Sequence, residues 1–357
     1  MKSFRSAILL ALLVGLCIGG AAPARAGSGT PEDPWIIGMS QCNLAEPWRA
    51  QMNKDIADAA AAHPEVRAIF KDAQNDTLVQ RQHIEEFVNQ GVDVLLVSPK
   101  EAVPLTEPVA RAYQAGIPVM VLDRRIMGDQ YTTFIGADNK LIGQAVGRWI
   151  ARQTGGTGNI VELKGLMTST PGQDRHSGFL KGIEGTDLKV IFEADMEWLE
   201  PKARQEMESA LARFPDIDVV YGHNDPAAHG AYLAARAAGR ADEMIFVGID
   251  ALPHEGKRYV EEGILDASFE YPTGGREAVA TAVEILLGKE APKEIVLPSR
   301  FFTADNVKDN GLWLEEAGLI DMPGEEPSNL EPNQPVIEER LRIGEEVGED
   351  IKELPTD

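Results

Sequence analysis

Apolar and polar positions alternate between two periods along the chain. Short runs of aliphatic and β-branched residues read as buried strands, and the longer stretches between them carry apolar residues at helical spacing. The order is strand (35–41), helix (47–62), strand (66–72), helix (77–90), strand (92–98), helix (107–115), strand (119–122) and strand (131–137). Pro47 marks a helix start, and Gly91 and Gly116 mark stops. The rhythm then repeats. Helices over 139–153, 173–183, 201–213, 226–238, 253–262 and 273–287 alternate with strands over 159–163, 188–193, 219–223, 244–250, 267–269 and 294–302. Such alternation implies right-handed βαβ units and parallel sheets. Two runs of similar length imply an α/β protein with two doubly wound lobes.

The organising stretch is the strand that ends in Leu122-Asp123-Arg124-Arg125. Open α/β sheets bind ligands outside the carboxyl ends of their strands. There a carboxylate supplies acceptors and a guanidinium supplies a planar fork of donors, a pair able to grip neighbouring hydroxyls. Other residues fall at equivalent places: Glu46, Trp48 and Arg49 after the first strand, Arg175 at the start of a helix, Trp198, Asn224, Asp250 and Glu270. Bidentate Asp, Asn and Arg contacts with flat indole faces suit a sugar. Each residue also has a plainer reading. Asn224 fits a helix cap before Asp225-Pro226, Asp250 a turn, Trp198 a surface aromatic, Arg175 an ion pair with Asp174 or Glu162, and Glu46 an ordinary loop acid.

Charge and the termini narrow the partners. The first 26 residues read as a secretory signal: Lys2 and Arg5, an apolar run over 7–20, then Ala24-Arg25-Ala26 as a cleavage site. Export to a bacterial periplasm is therefore expected. Cleavage leaves Cys42 as the only cysteine, so no internal disulfide is expected. The net charge is −23, and removing Lys2, Arg5 and Arg25 gives −23 − 3 = −26. That balance argues against nucleic acid and anionic membranes as partners. Residues 321–357 hold twelve acids, three bases and several prolines, and read as a solvated tail.

Catalytic constellations are missing. The chain has no Gly-x-Ser-x-Gly elbow, no His-Glu-x-x-His, no phosphate loop and no dinucleotide fingerprint. His223 ends a strand and His229 lies on the following helix, so a shared metal is not expected. Cys42 reads as a buried, inert thiol. No cofactor and no metal are expected, and an enzyme acting on sugars through the acids at the strand ends is the lesser alternative. Arginine neighbours should keep those acids ionised.

The chain resembles the type I periplasmic sugar-binding proteins of ABC transporters, the ribose-binding-like receptors, from about residue 35 to 307. The resemblance rests on Ile36-Ile37-Gly38-Met39-Ser40, Gln90-Gly91-Val92-Asp93-Val94-Leu95, Gly116-Ile117-Pro118-Val119, Leu122-Asp123-Arg124 and Gly136-Ala137-Asp138-Asn139 with Gly143. It continues in Asp174-Arg175 with Gly178-Phe179, His223-Asn224-Asp225, Gly248-Ile249-Asp250 and Thr303-Ala304-Asp305-Asn306-Val307. It implies that Asp123 and Arg124 hold a monosaccharide from the first lobe. Arg175, Asn224, Asp250 and Glu270 would serve as partners from the other lobe and the hinge, with Trp48 and Trp198 against the sugar. Glu46, Arg49 and Glu270 depart from the ribose receptor, and Trp48-Arg49 with Glu270 looks more like the galactofuranose-binding members. That favours a furanose-form hexose or a pentose. The resemblance further implies a monomer, with a first lobe over 35–137 and 271–302 and a second over 138–270 and 303–320. The chain would cross between lobes near 137–139, 270–272 and 302–306. An ABC permease would receive the sugar, or else a chemoreceptor or histidine kinase would sense it.

Overall fold

The computed structural model describes residues 27–320; the expected signal segment and the acidic tail lie outside them. The first run of elements is β1 (Trp35–Gln41), α1 (Pro47–Ala61), β2 (Val66–Asp72), α2 (Thr77–Gln90), β3 (Val94–Ser98), α3 (Ala102–Gln114), β4 (Val119–Leu122) and β5 (Thr133–Ala137). The second begins with α4 (Asn139–Gln153), β6 (Thr157–Lys164), α5 (Thr170–Gly182), β7 (Asp187–Asp195) and α6 (Glu200–Arg213). It continues through β8 (Val219–Gly222), α7 (Asp225–Ala237), β9 (Ile245–Asp250), α8 (Gly256–Glu261) and β10 (Ala267–Glu270). Then come α9 (Gly275–Leu286), β11 (Glu294–Leu297), β12 (Arg300–Phe302) and β13 (Leu312–Trp313).

Two sheets result. The first has the order β11-β5-β4-β3-β1-β2, and the second β13-β12-β10-β9-β8-β6-β7. The central part of each repeats one plan, in which strand order reverses between β1 and β3 and again between β6 and β8. Ligands of doubly wound sheets lie at those reversals. The first sheet is parallel throughout, whereas β12 and β13 join the second sheet antiparallel.

Sequence and structure differ at one boundary that matters. The single strand expected over 294–302 is two strands, β11 in the first sheet and β12 in the second. Pro298 lacks an N–H for the ladder and ends β11, after which Phe301 and Phe302 pair with Phe269 and Ser268 of β10. The third crossing between sheets therefore falls at Pro298-Ser299, not at 302–306, and residues 300–302 belong with the second lobe. Helix α3 also starts five residues before the expected position, at Ala102, because Pro104 sits in its first turn, where a missing N–H costs nothing.

Helices α4 and α5 approach each other at backbone distance. A Cβ on Gly143 would lie 2.3 Å from the Arg175 carbonyl oxygen, and one on Gly178 would lie 2.1 Å from that of Lys140. Glycine at both positions lets the helices close up, and the closure sets Arg175 beside Asn139.

Candidate functional site

The carboxyl ends of both sheets face a common cavity. Its wall holds Glu46, Trp48, Arg49, Asp123 and Arg124 from the first lobe, Pro171, Arg175, Trp198, Asn224 and Asp250 from the second, and Tyr271 from the hinge. The space between these residues is about 270 Å³, part of it open to solvent. Nine of the ten residues expected from sequence meet here.

Arg49 anchors the first-lobe half. It donates to Asp123 Oδ2 at 3.0 Å, to Glu46 Oε1 at 3.1 Å and to Ser98 Oγ at 2.9 Å. Asn43 donates to the same Glu46 oxygen at 2.7 Å, so Glu46 is a fixed acceptor and not a loose loop acid. Arg124 is 2% exposed and spends Nη1 on the Lys100 carbonyl at 3.0 Å. Its Nε lies 3.6 Å from Asp123 and its Nη2 3.9 Å from Glu46, and neither makes a hydrogen bond among the described residues.

In the second lobe, Arg175 donates from Nε to Asn139 Oδ1 at 2.8 Å and from Nη1 to the His223 carbonyl. Nη1 also faces Asp250 Oδ1 at 3.8 Å. The Arg175 and Arg124 guanidiniums stand 5.3 and 5.6 Å from the Trp198 ring, within cation–π range. Asn224 caps α7, accepting from the Ala227 N–H at 3.0 Å, and donates to the Trp198 carbonyl at 3.1 Å. Its plainer reading as a cap is thus correct, and it also lines the cavity.

Asp123, Trp198 and Asp250 have φ of 64°, 69° and 129°. Such backbone is strained for residues with a side chain, and strain of this kind collects at binding sites. Asp250 explains where Glu270 goes. The two are register partners on β9 and β10, but Asp250 leaves strand geometry and enters the cavity. Glu270 does not line it. That carboxylate lies 4.0 Å from Lys257 Nζ, so the expected tenth member is instead half of an ion pair.

The sequence reading missed Tyr271 and Pro171. Tyr271 accepts from Trp48 Nε1 at its carbonyl (2.7 Å), donates its hydroxyl to the Asp123 carbonyl (3.1 Å) and accepts from Asn139 Nδ2 (3.3 Å). One side chain therefore ties both lobes to the second crossing. Its signal was its place directly after β10, one residue beyond the strand-end position.

Asp250 departs from the expectation that arginine neighbours keep these acids ionised. Burial pushes the Asp250 carboxyl well up, more than Arg175 pulls it down, and Asp225 adds to the rise. Asp225 itself, just behind the cavity, is pushed up to about 6 by burial, against hydrogen bonds from Ser268 and the Ala251 N–H and the charge of Arg175. A carboxyl raised from its ordinary value stabilises the fold while protonated. Its contribution is complete below about pH 4 and is lost as pH climbs through about 6. From pH 4 to 7 the parent is expected to lose about 2–3 kcal/mol relative to Asp225→Asn, the equivalent of that shift. Melting temperatures of both proteins across this range check it, and parallel curves would refute it.

Cys42 is buried, and burial pushes its thiol up. His223 bonds to Glu162 and His229 to Glu200, so these histidines are engaged separately.

With the geometry in place, comparison with known proteins is direct. Residues 37–290 match the model of the periplasmic binding protein domain. The chain belongs to that family. The chain is 31% identical over 265 residues to the galactofuranose-binding protein YtfQ of Escherichia coli, covering 71% of this chain and 83% of the relative. It is 28% identical over 285 residues to the ribose import binding protein RbsB of Bacillus subtilis, covering 79% and 91%. Among solved structures it superposes on the fructose-binding periplasmic domain of a hybrid two-component system with a TM-score of 0.75 at 45% identity, covering 77% and 93%.

Proposed function

We propose that the protein is a periplasmic receptor that captures one monosaccharide between its lobes and passes it to an ABC permease, without altering it. The observation that carries this reading is the mixture of hydrogen-bond acceptors and donors that converge on the cavity. Three carboxyl groups (Glu46, Asp123 and Asp250) face three guanidiniums (Arg49, Arg124 and Arg175), with two indoles and an amide among them. Such a mixture suits a neutral polyol, whose hydroxyls both donate and accept. Arg124 Nε, Arg124 Nη2 and Trp198 Nε1 are buried donors without hydrogen-bond partners among the described residues, and ring hydroxyls supply acceptors for them. Relatives that bind galactofuranose and fructose favour a furanose-form hexose, with a pentose next. A secretory signal over 1–26 and action as a monomer complete the proposal.

Closure brings Arg175, Trp198, Asn224 and Asp250 against a sugar already held by the first lobe, so the ligand stabilises the closed form by its differential affinity. A second reading, delivery to a sensor, is favoured by the likeness to the periplasmic domain of a two-component system.

Thermal-shift screening of the chain from Gly27 onward against pentoses and hexoses tests the proposal. A sugar present at a hundred times its Kd is expected to add about 2.7 kcal/mol of stability. No shift with any of them would overturn the sugar reading, and sustained product formation from a bound sugar would overturn the receptor reading.

A further inference from the structure

Away from the cleft, the second lobe carries a cluster that sugar binding leaves unused. Glu162 of β6 and Glu193 of β7 are register partners on adjacent strands, so two carboxylates stand opposite each other, an arrangement that costs stability when both are charged. His176 of α5 lies with them, its Nδ1 2.9 and 3.0 Å from the two Glu162 oxygens. One donor atom from each of the three residues lies within 4.8 Å of the other two. Glu162 is fully buried, whereas the side chains of His176 and Glu193 are 23% and 43% exposed. The cluster thus has a fixed floor and an opening to solvent.

We propose that Glu162, His176 and Glu193 form a divalent-cation site, with zinc as the metal that fits it. One imidazole nitrogen and two carboxylate oxygens are a usual zinc set, and zinc accepts three protein ligands with a fourth position open to water. A dication balances the two opposed carboxylates. Lys164, now 2.5 Å from Glu193 Oε2, is a flexible amine that can turn to solvent when the metal enters. On the inner side, His223 Nε2 lies 2.9 Å from Glu162 Oε1, the kind of outer hydrogen bond that fixes a ligating carboxylate. The bond lengths zinc requires, about 2.0–2.2 Å, call for movement chiefly of the exposed Glu193.

Calorimetric titration of zinc chloride into the metal-free chain from Gly27 onward tests the proposal. One saturable site is expected, weakened at least tenfold in Glu193→Gln and in His176→Gln. The acidic tail is common to all three proteins, so its uptake cancels in the comparison. Glu193 lies outside the cleft, and Glu193→Gln should bind sugar as the parent does, which shows the variant to be folded. Cobalt in place of zinc should give visible absorption in the parent and not in the variants. No saturable uptake by the parent, or parental affinity in the folded Glu193→Gln variant, would overturn it.

Discussion

Asp123→Ala is expected to weaken sugar binding by about 2–5 kcal/mol, the range for truncating one partner of a buried, hydrogen-bonded charge group. Asp123 Oδ2 receives Arg49 Nη2 at 3.0 Å and Ser98 Oγ at 3.3 Å, and faces Arg124 Nε at 3.6 Å. Removing the carboxylate deprives two guanidiniums, Arg49 and Arg124, of the acid they share in one dry corner. Both the free protein and the complex suffer, but the complex suffers more, because the sugar loses its acceptor and the arginines lose the group that aims them. Calorimetry against the sugar found by screening gives the answer. Parental affinity in the variant would mean that the cavity is not the binding site.

Gly178→Ala is expected to lower stability by about 1–3 kcal/mol, the cost of forcing an extra carbon into close packing, and to reduce sugar affinity with it. The new methyl would stand 2.1 Å from the Lys140 carbonyl oxygen, and nearby atoms include the Gln144 backbone nitrogen at 3.0 Å. Backbone cannot step aside as a side chain can, so α4 and α5 must separate. Arg175 rides on α5 and is steered by Asn139 at the head of α4, so separation moves the guanidinium off its target. Gly239→Ala, where a Cβ meets nothing within 4 Å among the described residues but a φ of 70° strains any side chain, should lower stability without parting α4 from α5, and so serves as the comparison for sugar affinity alone. An unchanged melting temperature and affinity in Gly178→Ala would sink the packing argument.

Much of this was legible in the residues. Buried parallel strands are continuous apolar runs, and those runs are unmistakable at 94–98 and 119–122, so the two-lobed architecture followed from them. The strand-end rule of doubly wound sheets then brought Glu46, Arg49, Asp123, Arg175 and Asp250 forward without knowledge of their partners. What failed has physical causes. Pro298 interrupts a run that is apolar on both sides, and hydropathy does not register a missing N–H. Glu270 and Asp250 both end strands, and only the positive φ of Asp250 separates them; sequence gives no φ for an aspartate. Tyr271 acts through its own carbonyl as well as its hydroxyl, and a carbonyl leaves no mark on composition. The Glu162, His176 and Glu193 cluster draws on three elements with no local spacing, so no motif announced it.

The crossing at Pro298-Ser299 has a mechanical consequence. Proline fixes its own φ near −65°, and the second crossing also holds one, Pro272, directly after Tyr271. At the first, Asp138 is committed to capping α4 through the Lys140 and Leu141 amides. If the halves close on a sugar as proposed, three tethers with restricted torsions favour a swing along one arc, as a door moves on aligned pins.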